Sequence, residues 1–286
     1  MKRLLRWIGI GVASLAGLAI FAYAVAYALS ERTLRRTYQV PPVALSVPTD
    51  SAAIVEGRRL ATTRGCFGGC HGVQAEGGIM LDDPMLARLV APNLTAAAHK
   101  YTDAELAVAI RNGVRPGGRS MVIMPSEAFI GLTDVDLGRI IAFLRSLPPV
   151  PGREPSLVLG PIGRIGFAVG KFKLAAQLIA ETVPPPEASN EEAALGRYLA
   201  RTTCTQCHAA DLRGTSNPGF TSPTLQVVAG YTPEAFTQLL RTGVALGGRN
   251  LAMMGPWARD HLSHFTDEEI GALYAYLHSL TPADSY

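Results

Sequence analysis

An uncharged apolar run opens the hydrophobic pattern of the chain. It covers residues 7–29, and three basic residues precede it. A run of about 20 apolar residues is long enough to cross a bilayer as a helix, whereas the apolar core of a cleavable signal peptide has about 7–15 residues. The pattern therefore predicts a retained membrane anchor over residues 1–30, although two Ala-x-Ala triplets inside the run leave cleavage open.

Beyond the anchor, the chain shows the pattern of a helical protein. Pro41, Pro42 and Pro48 first mark an extended spacer over residues 31–48. Little of the remaining chain alternates with a period of two, which is the pattern of a half-buried strand. We therefore predict a mainly α protein.

A repeat divides the helical part into two copies. Residues 101–106 (YTDAEL) recur as residues 231–236 (YTPEAF), and residues 132–137 (LTDVDL) recur as residues 265–270 (FTDEEI). One domain has thus been duplicated. The predicted boundaries are residues 49–149 for the first copy, 150–187 for a bridge and 188–286 for the second copy.

Helix start signals stand at corresponding places in the two copies. A Ser or Thr followed three residues later by an acidic residue is typical of a capping box. Such pairs are Thr102 with Glu105, Thr133 with Asp136 in a weaker form, Ser189 with Glu192, and Thr266 with Glu269. Pro233 takes the first-turn position of its helix in the second copy.

Length and charge limit the classes of function. With 286 residues and 48% apolar content, the chain is long enough for two domains. Its formal net charge of +3 is spread along the sequence, so we expect no nucleic-acid partner. We expect His99, His261 and His264 to be surface or capping histidines.

All four cysteines stand in two pairs, and a histidine directly follows each pair. The runs are Cys66-Phe-Gly-Gly-Cys70-His71 and Cys204-Thr-Gln-Cys207-His208. The second run is the attachment pattern of a c-type haem. Residues three or four apart share one helix face, so both thiols can reach one porphyrin edge while the histidine meets the iron. We predict two covalently bound haems c, with Cys66, Cys70, Cys204 and Cys207 as attachment points and His71 and His208 as iron ligands.

The first run has one residue more than the common spacing. Gly68 and Gly69 supply the backbone freedom that the extra residue would need. Two other interpretations of the cysteines stay open. Structural disulfides suit an exported chain but leave the histidines unexplained. A zinc site would need four ligands in one small module, and the two pairs lie more than 100 residues apart.

Together these features make each half resemble a class I c-type cytochrome domain. The resemblance covers about Thr49–Pro149 and Ala188–Pro282, with the attachment run, a Pro-Asn-Leu or Pro-Thr-Leu stretch, a late methionine and a closing amphipathic helix in order. The whole chain is similar to membrane-anchored dihaem cytochromes c of bacteria. Because covalent haem is attached outside the bacterial cytoplasm, the resemblance implies a single-pass protein of the cytoplasmic membrane with both haem domains in the periplasm.

The resemblance also implies a methionine as the second axial ligand of each iron. Counted from the two Gly-Gly-Arg triplets, Met124 and Met254 occupy matching positions and are the predicted ligands. Met121 and Met253 are the nearest alternatives, and all of these methionines would also suit a core. A thioether ligand favours ferrous iron and raises the potential.

Four further residues are predicted near the haems. By the resemblance, the carbonyl groups of Pro92 and Pro223 accept a hydrogen bond from the proximal histidine. Arg111 and Arg241 occupy matching places and are candidates for pairing with the haem propionates. Solvated surface arginines remain an equally good interpretation of that pair.

The bridge has no counterpart in the repeat. Its apolar middle is interrupted by Arg164, Lys171 and Lys173, and a second membrane span would place one attachment run in the cytoplasm. We expect an amphipathic helix around residues 165–180 that packs on a domain or lies at the membrane surface. A role in docking a partner stays open.

The predicted function is electron transport and not enzyme catalysis. The leading interpretation is a membrane-bound carrier of single electrons in a respiratory chain, with a dehydrogenase, a quinol-oxidising complex or a terminal oxidase as redox partner and with lipid around the anchor. The alternative is the cytochrome c electron-acceptor subunit of a dehydrogenase that oxidises an alcohol, aldehyde or sugar. A third interpretation, a dihaem peroxidase or a thiosulfate-oxidising enzyme, needs an exchangeable iron site.

Overall fold

The N-terminal apolar run forms one long helix in the computed structural model, which describes residues 1–188, 190–217 and 220–280. Helix α1 spans Lys2–Leu34. Its most apolar 18-residue window has a mean hydropathy of 2.1, and none of that window is buried against the rest of the chain. By length and composition α1 can cross a membrane, and a signal sequence at this position would meet the same criteria.

The first domain is a helical shell with a β-hairpin on one side. Its helices are α2 (Ser51–Thr63), α3 (Leu94–Lys100), α4 (Asp103–Asn112), α5 (Ser126–Phe129) and α6 (Asp134–Ser146). The hairpin pairs β1 (Ile79–Asp83) with β2 (Ala87–Val90). Helix α2 packs across α6, and apolar side chains of all five helices form one buried core.

The bridge is docked on the first domain. Its strand β3 (Ser156–Leu159) adds a third antiparallel strand beside β2. Instead of one helix over residues 165–180, the bridge contains α7 (Pro161–Ala168) and α8 (Ala175–Glu181). The left-handed backbone of Gly170, with φ +73°, interrupts the helical path between them. Helix α7 packs against α1, and α8 packs against α5.

The second domain repeats the order of the first. Its helices are α9 (Glu191–Leu199), α10 (Thr205–His208), α11 (Pro233–Thr242), α12 (Met254–Asp260) and α13 (Asp267–Ser279). Two short hairpins pair β4 (Thr215–Asn217) with β5 (Phe220–Ser222) and β6 (Val244–Ala245) with β7 (Arg249–Asn250). Helix α9 packs across α13 as α2 packs across α6. The predicted mainly α architecture of two tandem domains behind a long apolar helix is confirmed.

The predicted helix caps start α4 and α6 in the first domain and α13 in the second. Reciprocal capping boxes start α4 and α13, and they join Thr102 with Glu105 and Thr266 with Glu269. Helix α6 has the weaker form, in which Oγ1 of Thr133 accepts a hydrogen bond from the backbone N of Asp136 at 3.1 Å.

The start of α9 differs in its capping residue. Ser189, for which the sequence predicts a cap, lies outside the described residues. The side chain of Asn190 caps α9, because its Oδ1 accepts a hydrogen bond from the backbone N of Ala193 at 2.8 Å.

A glycine lies at each helix crossing. A Cβ atom on Gly57 would overlap the carbonyl O of Arg139 in α6, and a Cβ atom on Gly196 would overlap the carbonyl O of Ala272 in α13. Because packed interiors leave no room for such an overlap, each helix pair can approach this closely only with glycine. The crossing therefore brings the attachment run, which follows α2 or α9, to the same place in each domain.

Candidate haem-binding sites

The first attachment run lies in the turn that follows α2. The backbone N of His71 donates to the carbonyl O of Cys66 at 3.3 Å, which closes a turn one residue longer than an α-helical turn. The extra residue is accommodated outside the helical region, because Phe67 has φ −110° and ψ 153° and Gly68 has φ +73°. Gly68 thus has the predicted role, whereas Gly69 is not among the glycines with positive φ.

The second attachment run is part of a continuous helix. A π-type turn over Ala200–Cys204 joins α9 to α10, and Cys204 has φ −74° and ψ −34°. Cys204 and Cys207 are therefore one helical turn apart on one face. This geometry suits two bonds to a single porphyrin edge.

One cysteine of each pair packs against an apolar core. All four cysteines are free. Burial raises the pKa of the Cys66 thiol and of the Cys204 thiol to about 12. Cys66 and Met124 pack against the first core, and Cys204 and Met254 pack against the second. Two thiols, an imidazole and a thioether around one apolar interior fit a covalent haem in each domain.

A backbone carbonyl group orients each histidine. Nδ1 of His71 lies 2.9 Å from the carbonyl O of Pro92, and Nδ1 of His208 lies 2.8 Å from the carbonyl O of Pro223. When Nδ1–H donates to the carbonyl group, the lone pair of Nε2 remains for a metal. Burial lowers the pKa of both imidazoles, which favours the neutral form that binds iron.

Contact with the apolar cores distinguishes the methionines of the two loops. Met254 begins α12 and packs against the second core, whereas Met253 is 63% exposed. Met124 packs against the first core. Met121 lies beside the bridge, where its carbonyl O accepts a hydrogen bond from the backbone N of Ala175 at 2.9 Å. The positions of Met124 and Met254 favour them as the second iron ligands.

The two matching arginines connect the last helix of each domain to α4 in the first domain and to α11 in the second. Arg111 of α4 donates to the carbonyl O of Leu132 at 2.6 Å and pairs with Asp134 at 2.8 Å. Arg241 makes the same two contacts in the second domain, with Phe265 and Asp267. These contacts give both guanidinium groups a structural role. The buried Nε of Arg111 has no partner among the described residues, so one donor is left for a propionate.

The two domains meet through equivalent contacts. Arg59 of α2 pairs with Glu269 of α13 at 2.6 Å. Tyr198 stands at the corresponding place in α9, and its hydroxyl group donates to the carboxylate of Asp136 in α6 at 2.5 Å. The first helix of each domain thus contacts the last helix of the other, so the domains form a pseudo-two-fold pair.

A buried arginine lies between the two attachment runs. Arg64 is only 2% exposed, and its Nη2 donates to Oγ1 of Thr202 at 3.3 Å. The side chain of Gln206 donates to the carbonyl O of Arg64 at 3.4 Å. Burial, and then the neighbouring sulfur of Cys207, raises the pKa of Cys70. The two runs therefore lie against each other.

Helix α12 of the second domain covers the first attachment run. A Cβ atom on Gly65 would overlap the ring of Trp257. Nδ1 of His261 lies 2.9 Å from the carbonyl O of Thr62, and His261 is 3% exposed. His261 is therefore not a surface histidine, although it is the C-cap residue of α12, as the alternative of a capping histidine predicted. No sequence pattern identified these contacts, because the partners are more than 100 residues apart.

A family model described as cytochrome c matches the chain twice. The matched stretches are residues 54–148 and 193–281, which together make up more than half of the chain. Each stretch contains an attachment run, the histidine that follows it and the methionine that packs against the core of that domain.

Curated proteins similar to the chain are cytochrome subunits of dehydrogenases. The fructose dehydrogenase cytochrome subunit of Gluconobacter japonicus is 25% identical over 265 residues, which are 82% of this chain and 54% of the relative. The alcohol dehydrogenase (quinone), cytochrome c subunit of Gluconacetobacter polyoxogenes is 25% identical over 270 residues, which are 82% of this chain and 57% of the relative. The chain thus spans about half the length of these relatives.

Proposed function

The chain belongs to the cytochrome c family, and on this premise we propose that it carries single electrons with one covalent haem c in each domain. The iron of a bound haem changes between two oxidation states and supplies the one-electron chemistry. The cysteine pairs hold the porphyrins. His71 with Met124 would hold one iron, and His208 with Met254 would hold the other.

The residues around each iron suit electron transfer and not catalysis. The carbonyl groups of Pro92 and Pro223 orient the imidazole rings and raise their basicity as ligands. A histidine and a methionine bound to the same haem iron would leave no position for a substrate. Met124 and Met254 each pack against an apolar core, which limits the access of water to the thioether groups.

One observation supports the proposal most directly. Each domain has its own cysteine pair, histidine and methionine, and the two attachment runs are in contact. Arg64 and Thr202, each two residues before the first cysteine of its run, are in hydrogen-bond contact. Electron transfer between cofactors weakens steeply with distance. Because both porphyrins would be attached beside this contact, an electron can pass from one haem to the other within the chain.

We expect two covalent haems per chain, because each domain supplies its own thiols and histidine. Acid-acetone extraction followed by a haem-to-protein ratio tests this number. Cys204→Ala with Cys207→Ala should leave one haem, and so should the matched variant Cys66→Ala with Cys70→Ala. A ratio near one in the unchanged protein would mean that the longer first run does not accept haem, and the carrier would then have a single haem.

The relatives favour a dehydrogenase as the redox partner. Their names describe cytochrome subunits of a fructose dehydrogenase and of a quinone-type alcohol dehydrogenase. On this basis the chain is the electron-acceptor subunit of a membrane dehydrogenase that oxidises a sugar, an alcohol or an aldehyde. A quinol-oxidising complex or a terminal oxidase is the other class of partner that would suit an independent carrier.

The location follows from the anchor and from the chemistry of attachment. Helix α1 holds the chain in the bacterial cytoplasmic membrane, and both haem domains lie in the periplasm. The exposed apolar surface of α1 supports the anchoring. Covalent haem attachment outside the cytoplasm supports the orientation.

Substrate-driven reduction in membranes tests the partner. When an alcohol, an aldehyde or a sugar is added to membranes that contain the tagged chain, the α-band of the reduced haems should appear. A dehydrogenase for that substrate should also co-purify with the tag in mild detergent. A variant with all four cysteines changed to alanine should show no band. Reduction by a quinol alone, with no co-purifying dehydrogenase, would contradict the subunit proposal and favour an independent carrier.

A further inference from the structure

The bridge carries an apolar face that no haem site uses. Ile162, Ile165 and Val169 recur at intervals of three and four residues in and just beyond α7, so they share one side. These residues are 48%, 46% and 65% exposed, and the nearby Phe172 is 42% exposed. A contiguous group of large exposed apolar side chains marks an interaction site.

The opposite side of α7 is fixed to the first domain. A Cβ atom on Gly163 would overlap the carbonyl O of Leu86, and the backbone N of Ile162 donates to the carbonyl O of Met85 at 2.9 Å. Phe167 is buried and packs edge-on against the ring of Phe172 at 5.8 Å. The apolar face is therefore presented in one orientation relative to the first domain.

Arg164 ties α7 to the end of α1. Its guanidinium group lies over the ring of Tyr27, 3.7 Å from the centroid. Its Nη1 donates to Oγ of Ser30 at 3.0 Å and pairs with the carboxylate of Glu31 at 2.9 Å. Ser30 is buried at this contact, although most of α1 is exposed. The apolar face of α7 therefore lies beside α1, next to the exposed apolar surface of that helix.

The position of Tyr27 in α1 indicates the depth at which α7 would lie relative to a bilayer. Trp7 and Tyr27 are 20 positions apart in the sequence of α1. At 1.5 Å per residue they are separated by about 30 Å, which equals the thickness of the hydrocarbon core. Trp and Tyr favour the two interfaces of a membrane. If α1 spans the membrane, Arg164 therefore holds α7 at the boundary on the side of the haem domains.

We propose that the apolar face of α7, formed by Ile162, Ile165, Val169 and Phe172, inserts into the lipid of the membrane that α1 crosses. The proposal rests on the proposed anchoring by α1. Lys171 is exposed beside the face, where lipid phosphate groups would attract it. An apolar face with basic residues beside it, at the membrane boundary, is typical of an interfacial segment. With α1 and α7 both in contact with lipid, the first domain has a fixed orientation relative to the membrane.

Labelling from within the lipid tests the proposal on the full haem-loaded chain. The protein is reconstituted into vesicles of equal parts phosphatidylcholine and phosphatidylglycerol that contain a trace of phosphatidylcholine with a diazirine on its acyl chain. After irradiation, peptides are analysed by mass spectrometry. We expect label on α1 and on residues 161–172, and none on α13. Label on α1 without label on residues 161–172 would overturn the lipid contact, whereas absence of label from α1 would overturn the anchoring itself.

Variants test whether the label on the bridge depends on the apolar face of α7. Ile162→Ser, Ile165→Ser and Val169→Ser combined should lose the label on residues 161–172 and keep the label on α1. The matched control, Val55→Ser with Val135→Ser, removes exposed valines of the first domain that lie outside the bridge and should leave both signals unchanged. Haem content and the visible spectrum show that each variant is folded. Undiminished label on residues 161–172 in the triple variant would contradict insertion through this face.

Discussion

Replacing Met254 with alanine is expected to lower the reduction potential of the second haem and to open its iron to water. The thioether is a soft, neutral ligand that favours ferrous iron. We expect a drop on the order of 0.2 V, within the roughly 0.8 V over which axial ligands set haem potentials. A spectroelectrochemical titration measures the shift. The red charge-transfer band of a methionine–ferric bond should lose about half of its intensity, in proportion to one of two haems, while both haems stay covalently attached.

The neighbouring methionine provides the matched control. Met253→Ala changes a side chain that is 63% exposed and should leave the band and both potentials unchanged. In the first domain, Met124→Ala should act like Met254→Ala, and Met121→Ala should act like Met253→Ala. A loss of the band in Met253→Ala or Met121→Ala would show that the ligand assignment is wrong while the fold stands. A native protein without the band that reacts rapidly with peroxide would favour the peroxidase interpretation.

Replacing Gly196 with alanine is expected to destabilise the second domain by about 1–3 kcal/mol, which is the usual cost of inserting atoms into a packed core. The new Cβ atom would overlap the carbonyl O of Ala272, which is backbone and cannot rotate away. Helices α9 and α13 would have to separate. Gly57→Ala should have the same effect on the crossing of α2 with α6, where the obstacle is the carbonyl O of Arg139. Denaturant unfolding of the haem-loaded protein in detergent, followed by circular dichroism, measures both changes.

Gly271 supplies a control of opposite sign. It lies in α13, the partner helix of the same crossing, but a Cβ atom placed on it has open space. Gly271→Ala should therefore stabilise the protein by about 0.5–1 kcal/mol, because alanine is the better helix former. If Gly196→Ala and Gly271→Ala changed stability in the same direction, the close helix crossing would be wrong.

The sequence alone was enough to predict the features that depend on neighbouring residues. The capping boxes at Thr102 and Thr266 join groups three positions apart, and the helical spacing of Cys204 and Cys207 lies within one turn. The repeat is also directly visible in the residues, and it predicted the two helical domains. In each case the physical interaction acts within the same few residues that display the pattern.

Only the tertiary structure decided the contacts between distant segments. Arg111 and Arg241, matched in the repeat, contact backbone carbonyl groups at the last helices. His261 is buried on the first domain, and the bridge is divided into two helices that pack on α1 and α5.

The crossing glycines show the physical reason most clearly. Within an isolated helix, Gly57 or Gly196 is unfavourable by about 1 kcal/mol relative to alanine. The close approach that each glycine permits arises only when α2 meets α6 or α9 meets α13. The local sequence therefore shows only that these glycines destabilise an isolated helix. The close helix contact that they permit exists only in the packed helix pair.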